Sequence, residues 1–590
     1  MSKLALEVLR IDDIPLLYAR IENLGVQGIV DEVIQPHGNW KGLSMGHTLS
    51  IWLCYMLSEA DHRLSTVEEW VAVNVSVLSV LSGQSVCRKH FTDDRLEQLL
   101  DYLSDPGSWC RVNNKLTQNS LEVYDMETQT TVRLDAAPFQ GHHELTTSKL
   151  FKHGHYKHHN PKLGMLKVML ASVDNSINGF GYPLAHLTVS GNQADDVLYI
   201  SMVKRCEETF SACALVSRKL YVGDSKMGSQ ANRYYIFSTK NDYLMPLSRV
   251  QLSDKERIKA IDGSTPQSYK KAYKTDEKGE KHLIAQGFEQ TSQVSYTDEQ
   301  GEIHTWEERR IFVRSRAYAK SQQIALDNRI QQATDMLNAL LVSKKGKRLP
   351  KTKVELEQRI DDIIKDKKVS GLLKVSITEQ QHSKSVRGYK GKPDRVERSS
   401  TFELAVQPDQ QAVSERKKLL GWQVYATTVD EQKLDFENIV WKYRHQNRIE
   451  TRFNDLRNKV IPLIPIFLQK DNRVEALINV LMIALKVCAL MEFTVAKNLK
   501  KNGEKLDKVY EGNPKRTTTT PTAKRLLKQF KGISIVIIRQ QPDQPPQVRL
   551  TDLSENQLKI MQLMEHKPSI YNELPQKIRL FFSNTKIPET

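Results

Sequence analysis

The chain has six cysteines, Cys54, Cys87, Cys110, Cys206, Cys213 and Cys488, and no two of them form a Cys-x-x-Cys pair. That pattern excludes a disulfide-stapled scaffold and a cysteine zinc site, and a reducing compartment suits it. No Gly-x-x-x-x-Gly-Lys loop is present, so an ATP-driven mechanism is not expected. Ser225 and Ser229 stand without a recognisable His/Asp arrangement. The opening residues, Met1-Ser2-Lys3-Leu4-Ala5-Leu6-Glu7, contain no apolar signal core. The most membrane-like run, Val474 to Phe493, is interrupted by Glu475, Asn479, Lys486 and Glu492. It reads as a buried amphipathic helix and not a span. No internal repeat is expected.

What is present in excess is positive charge, +16 over 590 residues. A surplus of that size draws a protein to polyanions, because each neutralised phosphate releases counterions. Membrane surfaces and acidic proteins would also attract it, and nucleic acid is the commonest such partner. The length calls for several domains, and 39% hydrophobic residues allow each a core.

Five regions are expected. Residues 1–124 form a helical region, with apolar spacing of three to four over Leu16 to Leu24, Ile29 to Ile34, Met45 to Leu57 and Thr66 to Leu81. Short helices with tight turns are compatible with a DNA reader or with a plain bundle. Residues 125–250 open an α/β domain: strands over Thr128 to Asp135, Leu163 to Val173 and Tyr182 to Val189, a helix from Ala194 to Cys206, then strands at Leu220 to Asp224 and Tyr243 to Leu247. Residues 251–432 form a basic, β-rich insertion, with helices over Ala319 to Leu341 and Lys353 to Lys365. Residues 433–498 carry the helix Trp441 to Arg457 and the apolar segment after it. Residues 499–590 are a basic C-terminal region, with a linker at Thr517 to Thr522.

Three carboxylates stand out by position. Asp135 follows Val132-Arg133-Leu134 and Asp224 follows Tyr221-Val222-Gly223, both at expected strand ends, where sites are built in open α/β sheets. Glu450 lies in Trp441 to Arg457, which lacks Pro and Gly and carries Ile449, Phe453 and Leu456 at helical spacing. Residues seven apart on a helix differ by only ~20°, so Tyr443, Glu450 and Arg457 are expected in one stripe. The plain reading is that the aspartates start turns or cap helices and that Glu450 is one charge of a surface helix. Taken together, carboxylates without cysteine partners suit hard ions such as Mg²⁺ or Mn²⁺.

With these residues in view, the chain resembles an insertion-sequence DDE transposase of the group marked by a Tyr-Arg-Glu-Lys pattern. Asp135, Asp224 and Glu450 match its three acids, Tyr443 its tyrosine, and Arg457 stands at its lysine. Gly181-Tyr182-Pro183-Leu184-Ala185-His186 and Gly191-Asn192-Gln193-Ala194-Asp195 resemble its segment between the aspartates, and Asn472 to Leu490 its following helix. Gln446 stands at the arginine position, four before the glutamate, with Arg444 and Arg448 on either side.

The resemblance implies an α/β fold: a ribonuclease H-like catalytic core, a mixed sheet flanked by helices, with a large, mainly β insertion and a helical N-terminal DNA-binding domain. It implies two Mg²⁺ or Mn²⁺ ions on Asp135, Asp224 and Glu450. They activate water to nick the ends of an element and then the freed 3′-OH to join target DNA. It implies DNA contact by Tyr443, Arg444, Arg448 and Arg457, double-stranded terminal repeats and target DNA as partners, a homodimer in the synaptic complex, and a bacterial, nucleoid-associated, cytoplasmic setting. A non-catalytic DNA-binding protein, either a decayed transposase or a repressor of element ends, is the competing expectation. A ribonuclease H-like nuclease acting on RNA or on DNA junctions is a third.

Other groups rank lower. His153, His155, His158 and His159 lie in a lysine-rich turn and lack cysteine, so phosphate contact or plain exposure is expected there before zinc. Asp195 and Asp196 start a helix, where acids favour the dipole. Glu144 is a weaker substitute for Asp135. The basic loops 344–353 and 384–398 are expected to be solvated or to touch phosphate.

Overall fold

The computed structural model describes residues 5–124, 130–154, 160–175, 177, 179–215, 217–276, 278–343, 348–386, 395–540 and 545–584. His155, His158, His159 and residues 344–347 and 387–394 of the two basic loops fall outside these residues. The chain divides into two compact units, one made of residues 1–244, 298–302 and 443–590, the other of residues 245–297 and 303–442.

The first unit begins with strand β1 (Ala5–Arg10), for which no strand was expected, and then α1 (Ile14–Asn23), α2 (Val26–Val33), α3 (Met45–Glu59) and α4 (Val67–Ser82) at the four expected segments, followed by α5 (Asp93–Leu103) and α6 (Pro106–Tyr124) within the region expected to be helical. Ser44 and Thr92 cap α3 and α5 by accepting backbone N–H groups two to three residues into the helix.

An α/β sheet follows: β2 (Thr131–Gly141), β3 (Gly164–Val173), β4 (Tyr182–Ser190), helix α7 (Leu198–Ala212), β5 (Leu220–Val222), helix α8 (Gln230–Ser238) and β6 (Asp242–Pro246). The strands lie side by side as β4-β3-β2-β5-β6. β2 is antiparallel to β3 and β3 to β4, while β2–β5 and β5–β6 are parallel. The sheet is therefore mixed, as expected, with helix α7 against β3 and β4.

The second unit holds α9 (Asp254–Asp262), β7 (Lys270–Thr275), β8 (Lys281–Thr297), β9 (Ile303–Arg314), α10 (Arg316–Asn338), α11 (Lys353–Asp366), β10 (Leu373–Val386), β11 (Arg395–Pro408), α12 (Gln410–Lys418) and β12 (Trp422–Thr427). Strands β12-β9-β8-β7 form an antiparallel set, and β10–β11 a separate long hairpin. Its helices make this unit mixed, not simply β.

The absence of a repeat is corrected here. The turns of hairpins β7–β8 and β8–β9 carry the same pattern, Thr275-Asp276-Glu277-Lys278-Gly279-Glu280-Lys281-His282 and Thr297-Asp298-Glu299-Gln300-Gly301-Glu302-Ile303-His304. In each, the aspartate Oδ1 accepts two backbone N–H groups at 2.9–3.0 Å. The glycines sit at φ +85° and +86°, a conformation that favours glycine.

The chain then returns to the first unit through α13 (Phe436–Arg444), α14 (Asn447–Asn454), a π-helical turn (Asp455–Lys459), α15 (Asp471–Asn502), α16 (Ala523–Lys528), β13 (Ser534–Arg539), β14 (Gln547–Leu550), α17 (Glu555–Leu563), α18 (Ser569–Asn572) and α19 (Leu574–Asn584). α15 is long and apolar enough to cross a membrane, but 94% of its apolar window is buried inside the protein, as expected of a core helix. The stretch Leu64–Ser82 passes the same length and composition test.

Both ends of the chain share one body. β1 pairs antiparallel with β13, and β13 with β14. The Arg20 guanidinium donates to the Met564 carbonyl at 3.1 Å and to Thr494 Oγ1 at 2.9 Å, and the Tyr571 hydroxyl donates to the Asp12 carbonyl at 2.8 Å.

Candidate metal centre

Parallel pairing of β2 with β5 brings the segments that lead into two aspartates alongside each other. The register runs Thr131 to Leu220, Val132 to Tyr221 and Arg133 to Val222. Two residues beyond the last parallel pair come Asp135, still on β2, and Asp224, just after β5. Asp224 lies two residues past the end of β5, as the N-cap of the turn Ser225–Gly228, and not on the strand itself. Asp135 lies inside its strand: β2 continues to Gly141, paired with β3 throughout, and Asp135 is opposite Leu170. β3 pairs with β2 as far as Gly141, whereas β5 pairs with it only over Thr131–Arg133. Asp135 is thus past the edge of the parallel pairing and not at the end of its own strand.

The third acid arrives differently from the expectation. The stretch Trp441 to Arg457 is not one helix. α13 stops at Arg444, a turn at His445 and Gln446 follows, and α14 starts at Asn447. Backbone bonds Gln446 N to Tyr443 O (3.0 Å) and Arg448 N to His445 O (3.0 Å) make the turn. After Asn454 the winding loosens into the π-helical turn that carries Arg457. The single stripe inferred from seven-residue spacing is therefore corrected, because spacing alone cannot see a break without Pro or Gly. Glu450 is exposed in the first turn of α14, where a carboxylate suits the helix dipole.

The acids nonetheless share one electrostatic environment. Burial pushes the Asp135 carboxyl up to about 7, the negative charges of Asp224 and Glu450 add to the rise, and Arg457 and the Ala136 N–H (2.9 Å) oppose it. Tyr443 is raised by burial and then by Asp224, Asp135 and Glu450, so its hydroxyl faces the same three charges and stays protonated. Asp224 accepts hydrogen bonds from the Tyr199 hydroxyl at 2.7 Å and from Lys226 N at 2.9 Å, the latter capping a short turn. Tyr199, on α7, had no signal in the sequence. The Arg457 guanidinium carbon lies 5.8 Å from the centre of the Phe139 ring, on the same strand as Asp135.

Among the described residues, neither Asp135 nor Glu450 has an ion-pair partner. A carboxyl that burial, and then two neighbouring negative charges, hold protonated near neutrality is what a hard divalent cation would relieve. The residues fit such an ion on that ground. The described residues that bring three metal-binding side chains within 4.8 Å of one another lie instead at the repeated turns, Asp276, Glu280 and His282 being one set. There His282 Nε2 and Asp276 Oδ2 already contact each other at 2.9 Å.

The cations near Glu450 differ in their partners. The Arg448 guanidinium donates to Asp174 Oδ2 at 3.2 Å, and Arg444 ends α13 half-buried. Arg452, fully buried, donates to the Gly181 carbonyl at 2.8 Å, to Asp455 at 3.1 Å and to Glu492 at 2.5 Å. Asp195 is ion-paired with Lys167 at 2.7 Å and with Lys226, which gives it a structural task. Gln446 turns inward to β2. Asp174, the acid that holds two arginines, was legible only as the charged residue ending the apolar run Leu163 to Val173.

A family described as a domain of unknown function (DUF4277) matches residues 6–111, the segment from β1 into α6. No curated protein matches the chain.

Proposed function

We propose that the chain is a DNA transposase with a ribonuclease H-like core, cutting the ends of a mobile element and joining the 3′-OH ends to target DNA. The observation that carries the reading is the register of β2 and β5. Asp135 and Asp224 each follow that paired segment by two residues, and the charge of Glu450 helps to weaken both Asp135 and Tyr443 as acids, which supports a shared site. Further support comes from the mixed sheet and from a large separate unit lying between β6 and the glutamate helix. The motif resemblance at Tyr443, Glu450 and Arg457 points the same way.

In this reading Asp135, Asp224 and Glu450 hold two divalent ions. When bound, such ions supply an activated oxygen nucleophile and stabilise the leaving oxygen of a phosphodiester. The chain's own groups do the rest. Tyr443, protonated at physiological pH, donates a hydrogen bond toward the phosphate. Arg457 and Arg444 hold the DNA backbone, and Arg448 keeps its guanidinium on Asp174. The +16 charge provides salt-sensitive attraction to the duplex. Joining two element ends brings two copies of the chain together.

The test is excision of a marked element, with its flanking DNA, from a plasmid by purified protein and Mg²⁺. Wild type is expected to excise and to insert the element elsewhere, and Asp135→Asn and Glu450→Gln to lose both steps while still binding DNA. Excision by either variant would sink the reading. Tight binding of the element ends without cutting by wild type would favour the non-catalytic DNA-binding protein.

A further inference from the structure

We infer that Gln446, Arg133, Asp174 and Arg448 form a positioning clamp that sets Glu450 against Asp135. The inference rests on the metal-centre reading above and goes past it, because it gives a role to a position where the resembled group carries an arginine. Gln446 reaches β2 with both ends of its amide. Its Oε1 accepts from Arg133 Nη1 at 3.3 Å, and its Nε2 donates to the Leu134 carbonyl at 3.3 Å. Arg133 in turn grips Asp174 with Nε at 2.7 Å and Nη2 at 2.8 Å, with no exposure of its own side chain and 3% for Asp174. Arg448 closes the cluster on Asp174 Oδ2. Beneath it lies Gly179, at φ +71°, where a Cβ would come within 3.0 Å of the Arg448 guanidinium.

The tie joins β2 immediately before Asp135 to the chain one helical turn before Glu450. Those are the two places where slack would change the separation of the acids. The chemistry also explains the glutamine. The cluster already holds two guanidinium groups on one carboxylate, all largely out of water. A third cation at 446 would meet Arg133 without a counter-charge, at a high desolvation cost. A neutral amide donates to the carbonyl and accepts from the arginine at once.

The experiment measures Mn²⁺ binding by electron paramagnetic resonance in the full chain without DNA. Affinity for a fluorescein-labelled DNA duplex is measured without divalent ions, and circular dichroism checks folding. Gln446→Met, of similar size and without hydrogen bonds, is expected to weaken Mn²⁺ binding about tenfold, as loss of support behind a metal ligand does, and to leave DNA affinity unchanged. Gln446→Arg, although it installs the resembled group's residue, is expected to lose Mn²⁺ affinity and gain none for DNA. Unchanged Mn²⁺ binding in Gln446→Met, or tighter DNA binding with Mn²⁺ affinity intact in Gln446→Arg, overturns the clamp. If wild type shows no Mn²⁺ site that Asp135→Asn removes, the metal-centre reading itself falls and takes the clamp with it. That result is distinct from a metal site indifferent to residue 446.

Discussion

Burial and the charges of Asp224 and Glu450 lift Asp135 from an ordinary 3.8 to about 7. Between those two values the folded protein keeps a proton that the unfolded chain has released, so stability falls as pH rises through this window. The full shift corresponds to on the order of 4 kcal/mol at pH 8 without divalent ions. Asp135→Asn, which cannot ionise, is therefore expected to melt above wild type at pH 8 in chelator and close to it at pH 4. Added Mg²⁺ should reverse the order at pH 8, because only wild type gains from binding a ligand to the native state. Melting curves at two pH values, with and without Mg²⁺, check this. Equal melting temperatures at pH 8 in chelator would show that Asp135 is not held against its own charge.

Helix α14 is short, and tertiary contacts hold it in place. Ile449 and Phe453 are buried toward β2, and Arg452 ties the helix to the loop at Gly181 and to α15 through Glu492. Removing one partner of a buried ion pair leaves an uncompensated charge, at a cost of roughly 3–5 kcal/mol. Arg452→Leu is thus expected to destabilise the chain by that order, and Arg452→Leu with Glu492→Leu by clearly less. Denaturant unfolding of the single and double variants decides it, and additive losses would contradict the pairing. Most elements of this region were legible: the strands around Asp135 and Asp224, and α15, follow from periodicity and apolar runs. The break at His445 and Gln446 was not. At the break the Gln446 side chain reaches Arg133 and Leu134 on β2, far away in sequence, and helical spacing is blind to such a contact. The same holds for Tyr199 on Asp224, and for the interior position of Asp135, which is set by pairing with β3 as far as Gly141.

Over the whole molecule, the segment matched by DUF4277 does not close its own core. β1 completes a sheet with β13 and β14, Arg20 reaches Met564, and Lys531 pairs with Asp12 at 3.3 Å. Residues 1–124 expressed alone are expected to be insoluble or unfolded, and truncation after residue 500 should destabilise the N-terminal helices. Proteolysis and circular dichroism of the fragments test this, and a soluble, cooperatively melting N-terminal fragment would refute it. Sequence reading separated these ends because pairing across more than five hundred residues leaves no local trace, while each end alone looks merely helical or basic. The charge excess, by contrast, is a property of the whole chain and was plain from composition.

The central claim is that β2, β5 and α14 bring Asp135, Asp224 and Glu450 to one divalent-cation site. Anomalous X-ray diffraction from crystals of the full chain grown with Mn²⁺ tests it most directly. The account predicts manganese peaks beside the carboxylates of Asp135, Asp224 and Glu450, lost in Asp135→Asn crystals. Manganese found only elsewhere, such as at the turns holding His282 or His304, with none among these three acids, would contradict it.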